Sequence, residues 1–131
     1  AIKSMAARAG VNQIFPASKW FEEQNDFSKT KTAFGIIKGW MEISKNNFGD
    51  KAPIVIFGSS PTALEGLLDI LDESDQKPSL IIGMPVGFIG VEQSKKRLID
   101  SDQTYIVLGS TRGGAAMAGA TINALLRSSM E

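Results

Sequence analysis

Three glycine-bearing stretches hold the side chains best placed to do chemistry. The first is Gly58-Ser59-Ser60-Pro61-Thr62. Ser60 is suited to cap a helix and Pro61 to its first turn. The free N–H groups and dipole of such a helix start attract a carboxylate or phosphate, while the plainer alternative is a well-made helix start and nothing more. The second is Gly83-Met84-Pro85-Val86-Gly87-Phe88-Ile89-Gly90. Surface loops are usually polar, so this apolar one calls for a cover: another subunit, a large flat ligand, or packing within its own domain. The third is Gly109-Ser110-Thr111-Arg112-Gly113-Gly114. Arg112 can grip a carboxylate through two parallel hydrogen bonds, and the glycines behind it allow close backbone approach. The alternative is an exposed arginine in a turn. Neither a Walker A loop nor Gly-x-Gly-x-x-Gly is present, so a nucleotide is not indicated.

Composition narrows the chemistry further. The 131 residues contain no cysteine, which rules out disulfides and thiolate metal sites. They contain no histidine, the commonest metal ligand and the usual proton shuttle near neutral pH, so no metal site is expected. Fourteen basic residues balance fourteen acidic ones, and no overall positive field calls for nucleic acid. No stretch reaches the roughly 18 apolar residues of a membrane span, and the first residues do not resemble a secretory signal. A cytoplasmic protein is expected. The sequence opens at Ala1 without an initiator methionine, which suggests a fragment or a chain with segments missing.

The elements that must position these stretches are legible. Ile54-Val55-Ile56-Phe57, Ser79-Leu80-Ile81-Ile82 and Tyr105-Ile106-Val107-Leu108 are short apolar runs, each followed by glycine. Such runs suit strands of a parallel sheet buried on both faces. Leu64, Leu67, Leu68 and Leu71 recur at one face of a helix. A shorter helix is expected over 91–99, with Glu92, Lys95 and Lys96 polar. A last helix over about 114–127 offers Ala115, Ala116, Gly119, Ala120 and Ala124 as a small-residue surface for packing on the sheet. In the first third, 11–15 suits a strand, 17–24 a short helix, 31–45 a longer one carrying Phe34, Ile37, Trp40 and Met41, and 46–50 a turn. The fold class expected is α/β: a three-layer, mainly parallel sheet flanked by helices, as a single domain over 1–131. Its ligand belongs beyond the carboxyl ends of the strands, at a switch in strand order.

Together the three stretches resemble the precorrin-8X methylmutase family of cobalamin biosynthesis, also called cobalt-precorrin-8 methylmutase. The family's Gly-Asn-Ala-Pro-Thr-Ala-Leu is similar to Gly58-Ser59-Ser60-Pro61-Thr62-Ala63-Leu64. Its Pro-Val-Gly-Phe-Val-Gly-x-x-x-Ser-Lys is similar to Pro85-Val86-Gly87-Phe88-Ile89-Gly90-Val91-Glu92-Gln93-Ser94-Lys95. Its Gly-x-x-Gly-Gly and Asn-Ala-Leu elements resemble Arg112-Gly113-Gly114 and Asn123-Ala124-Leu125, and a fainter match sets Thr-Arg-Ser on Thr30-Lys31-Thr32. The likeness runs over about residues 28–126, with its three main motifs in the same order.

The resemblance implies an isomerase that moves a methyl group from C11 to C12 of a corrin precursor without a cofactor, in a homodimer. It implies a flat, carboxylate-fringed substrate held by Thr30, Lys31, Ser59, Ser60, Pro61, Thr62, Pro85, Val86, Gly87, Phe88, Ser94, Lys95, Thr111, Arg112, Gly113 and Gly114. The apolar loop would lie on the ring, while helix starts, Arg112 and Lys95 hold its acidic edge. The family's proton donor is a histidine in its N-terminal region, and this chain has none. The catalytic residue is therefore unassigned. The expectation is that the segment carrying it is missing from the sequence. The alternatives are a catalytically silent tetrapyrrole-binding relative and an α/β oligomerisation domain.

Overall fold

Runs of β-branched residues lose side-chain freedom in a helix and fit a pleated surface. Three such runs form strands β1 (Ile54–Phe57), β2 (Leu80–Gly83) and β3 (Tyr105–Val107). The computed structural model describes residues 13–45, 51–87, 89–108 and 112–130. It joins the strands in one parallel sheet in the order β1-β2-β3. Val55 stands opposite Ile81, and Ile82 opposite Ile106. Parallel neighbours need long crossovers, and helices supply them. Helix α2 (Pro61–Leu71) links β1 to β2, and α3 (Val91–Asp100) links β2 to β3. Helix α1 (Lys31–Ile43) precedes the sheet and α4 (Ala115–Ser128) follows it.

Side chains on a strand alternate faces, and the core divides accordingly. Val55, Phe57, Ile81 and Val107 pack with Leu64, Leu67, Leu68 and Leu71 of α2, Leu98 of α3, and Ala33 and Trp40 of α1. On the other face Ile56, Leu80, Ile82 and Ile106 meet Ala118, Ile122 and Leu126 of α4. This is the expected three-layer arrangement. Burying each large aliphatic side chain stabilises by about 1.5–3 kcal/mol, so the leucine face of α2 fixes that helix on the sheet. Only α4 covers the second face among the described residues, and Ile54 and Leu80 stay partly open there.

Several expectations need correction. Residues 13–15 form no strand: Ile14 and Phe15 stay exposed, no neighbouring strand pairs with them, and Pro16 follows at once. Residues 11 and 12 and the expected turn at 46–50 lie outside the described residues. The short helix is a 3-10 turn, Ala17–Glu23, whose Trp20 ring lies on α1 at Gly39. A Cβ there would come within 2.6 Å of the ring, so the contact needs a glycine. Met41 of α1 points to solvent while Trp40 is buried. Nor do Ala116, Ala120 and Ala124 pack on the sheet; they are exposed. Residues two apart on a helix lie on nearly opposite sides, and Ala118 and Ile122 take the inward stripe. Among the described residues the strand order has no reversal. Instead the chain changes face after β3, when α4 crosses to the side opposite α2 and α3.

Candidate functional site

The carboxyl ends of the strands are tied together by backbone. The Met84 N–H donates to the Phe57 carbonyl (3.0 Å), and the Gly114 N–H donates to the Met84 carbonyl (2.7 Å). The turns after β1 and β2 and the start of α4 therefore share one edge. Gly58 packs so closely on Ala115 that a Cβ would fall 2.8 Å from the Ala115 Cα. Gly113 has φ +154° and lies on the Met84 and Pro85 carbonyls, where a side chain would collide. Gly90, at φ +77°, caps the start of α3.

Two helix starts meet through hydroxyls. Thr30 caps α1 by accepting from the Ala33 N–H (3.1 Å), and Ser60 caps α2 by accepting from the Ala63 N–H (3.2 Å). The Thr62 hydroxyl lies between them, 3.1 Å from Ser60 Oγ and 3.4 Å from Thr30 Oγ1. Neither α1, α2 nor α4 carries an acidic residue in its first turn. Their positive amino ends are thus not neutralised from within, which favours an anionic ligand. Thr30, Lys31, Ser59 and Thr62 are exposed, and Pro61 forms the first turn of α2.

The apolar loop divides. Pro85 is buried, whereas Val86 and Ile89 are 44% and 93% exposed, and Gly87 turns the chain at φ +128°. Ile89 and Gly90 flank the same edge, since Gly90 faces Pro61. Phe88 and Thr111 lie outside the described residues. Arg112 is exposed at the mouth of α4. Ser94 is buried and its hydroxyl donates to the Val91 carbonyl (2.9 Å). Lys95, expected to be polar and to hold the acidic edge of the ring, is 3% exposed and donates from Nζ to the Arg112 carbonyl. Burial pushes its ammonium below the ordinary lysine range, and Glu92 partly opposes this.

Thr30, Ser60, Pro61, Thr62, Val86, Gly113 and Gly114 are therefore brought to one edge, with Arg112 beside them and Lys95 beneath. Nothing in the sequence signals the Met84 carbonyl as a tether, or that Ile89 stands open. Two shallow clefts elsewhere, one by Trp40 and Glu73 and one between α2 and α3, include none of these residues. Among the described residues no three His, Cys, Asp or Glu side chains gather as metal ligands, and no helix is long and apolar enough to cross a membrane.

A sequence profile of the family described as Precorrin-8X methylmutase matches residues 2–128. This chain belongs to the precorrin-8X methylmutase family. The Precorrin-8X methylmutase of Pseudomonas aeruginosa is 46% identical over 74 residues, 55% of this chain and 36% of that protein. The Cobalt-precorrin-8 methylmutase of Methanocaldococcus jannaschii is 36% identical over 86 residues, 66% of this chain and 40% of that protein. The solved precorrin-8X methylmutase of Thermus thermophilus superposes with a TM-score of 0.68 at 25% identity, covering 88% of this chain and 51% of its own. The chain thus spans about half of that methylmutase structure, and less of the curated relatives it matches.

Proposed function

We propose that this chain serves a corrin-ring isomerase, holding precorrin-8X or its cobalt-containing counterpart while a methyl group moves from C11 to C12. The observation that carries the reading is the pairing, at one edge, of acid-free helix starts and hydroxyls with exposed apolar side chains. A flat ring bearing carboxylates needs both. Val86 and Ile89 offer apolar surface to the ring face, and the resemblance assigns Phe88 to it as well. Thr30, Lys31, Ser59, Ser60, Pro61 and Thr62 meet one acidic edge, where N–H groups and hydroxyls stand in for water. Thr111, Arg112, Gly113 and Gly114 meet another, with the Arg112 guanidinium able to take a carboxylate through two bonds. Pro85 and Gly87 shape the loop, and Ser94 and Lys95 support it from α3.

Held rigidly, the ring is fixed in the geometry from which the methyl group migrates, and protonation of the ring drives the shift. The polar side chains of the cluster are hydroxyls, two lysines and an arginine. Their part is grip and orientation, and the proton comes from another group. No added cofactor enters this scheme. We further place the protein in the cytoplasm, as one domain of a homodimer. The exposed stripe Ala116, Ala120 and Ala124 suits close approach of a second subunit.

The test is an absorbance titration of the full-length protein with hydrogenobyrinic acid, followed by incubation with the precursor. A spectral shift with conversion is the expected result. A shift without conversion would leave a corrinoid-binding relative. No shift would remove the corrinoid reading.

A further inference from the structure

A lysine ammonium is rarely buried unless its donors find acceptors, because desolvation opposes the charge. Lys95 is 97% removed from solvent in the middle of α3, and its Nζ reaches across to the carbonyl of Arg112, 17 residues ahead. That carbonyl belongs to the turn entering α4. The next residue, Gly113, rests on the Met84 and Pro85 carbonyls, and Gly114 donates to Met84. The turn is thus held by the end of β2 on one side and by Lys95 on the other. Val91, Ser94 and Leu98, which share the inward face of α3 with Lys95, are all fully buried. The lysine therefore stands on a rigid support and does not face the open edge as a flexible surface cation.

We propose that Lys95 is a positioning residue, which pins the Arg112 carbonyl and so sets the Arg112-Gly113-Gly114 turn that presents the guanidinium and the amino end of α4 to an anionic ligand. It does this without touching the ligand. The proposal deepens the corrinoid reading and rests on it for the identity of the anion. The pin itself is a property of the fold. Glu92, one turn before Lys95 on α3, is a charged neighbour that helps keep the ammonium protonated.

The experiment uses the full-length protein with Lys95→Met, Arg112→Ala and the double variant, titrated with hydrogenobyrinic acid. A hydrogen bond to a charged group is worth enough to predict about a tenfold or greater loss of affinity for Lys95→Met. In the double variant the losses should fall well short of additive, because Lys95 acts through the Arg112 turn. Additive losses would mean direct, independent contact and would overturn the proposal, as would full affinity in a folded Lys95→Met protein. Amide exchange supplies a readout that needs no ligand: Gly114 should lose protection in Lys95→Met while Ile81 and Ile82 keep theirs. Unchanged Gly114 exchange would overturn the pin. Should the wild type take up no hydrogenobyrinic acid, the corrinoid reading fails by itself and the exchange result still decides the role of Lys95. If Lys95→Met does not fold, Gly113→Ala displaces the same turn from the opposite side with Lys95 intact. It should bring a comparable loss of affinity, and unaltered binding would count against the proposal.

Discussion

The hydroxyl oxygens of Thr30 and Thr62, 32 residues apart in the chain, stand 3.4 Å from each other. One caps α1 and the other lies in the first turn of α2, so their meeting fixes two helix starts side by side. Ser60 extends the contact into a row of three hydroxyls. The row is polar, open and backed by unneutralised helix ends, which is why it is the centre of the proposed ligand edge.

The caps at either end of that row make the first prediction. Ser60→Ala and Thr30→Ala each remove the acceptor of an otherwise unpaired helix N–H. Each should lower stability by about 1 kcal/mol in urea unfolding. Ser60→Gly should cost only a few tenths of that, because backbone and water can then serve the N–H. Equal losses for Ala and Gly would mean that the cap bond is not what holds the helix start.

Gly58→Ala should destabilise more, by roughly 1–3 kcal/mol, through overpacking. Its Cβ would press on the backbone of Ala115, and a helix backbone cannot swing aside as a long side chain can. The measurement is the shift in thermal midpoint. Binding should fall with it, since the start of α4 is displaced. A neutral Gly58→Ala protein would show that α4 has room to move.

Arg112→Ala should leave stability nearly unchanged, because the side chain is exposed, yet weaken hydrogenobyrinic acid binding about tenfold. The wild-type affinity should also fall as salt is raised, and the variant should show the weaker dependence. Retention of both affinity and salt response would remove Arg112 from the site.

Lys95 sets an alkaline signature on stability. Its folded ammonium is held below the ordinary value of 10.5, first by burial, with Glu92 opposing. Below the lowered value both folded and unfolded chains carry the proton, and this group adds no slope. Between that value and 10.5 the unfolded chain binds more protons, so stability rises with pH. Urea midpoints measured toward pH 10.5 should therefore climb more in the wild type than in Lys95→Met. The carboxylates of Asp26, Glu42 and Asp102 are shifted down by hydrogen bonds, chiefly to Ser28, Lys45 and Lys77, and act only at the acid end. Parallel alkaline curves for the two proteins would show that Lys95 is not perturbed.

Much of this arrangement was legible in the chain. The strands were readable because Ile54 to Phe57 and its two counterparts are uninterrupted apolar runs closed by glycine, and β-branched residues have few other homes. Helix α2 was readable from four leucines at helical spacing, and its start from Ser60 and Pro61. Even the burial of Lys95 had a signal, since Val91, Ser94, Lys95 and Leu98 fall on one helical face. The residue type argued the other way, because lysine is seldom buried and the acceptor that makes it tolerable lies 17 residues ahead. What only the tertiary structure decided are the meetings across distance: Thr30 with Thr62, Gly58 with Ala115, Lys95 with the Arg112 carbonyl. It also turned Ala116, Ala120 and Ala124 of α4 outward, because Ala118 and Ile122 had already taken the sheet face. Local spacing fixes which side of an element is apolar. Which partner that side meets depends on how the other elements cross it, and no short-range pattern encodes that.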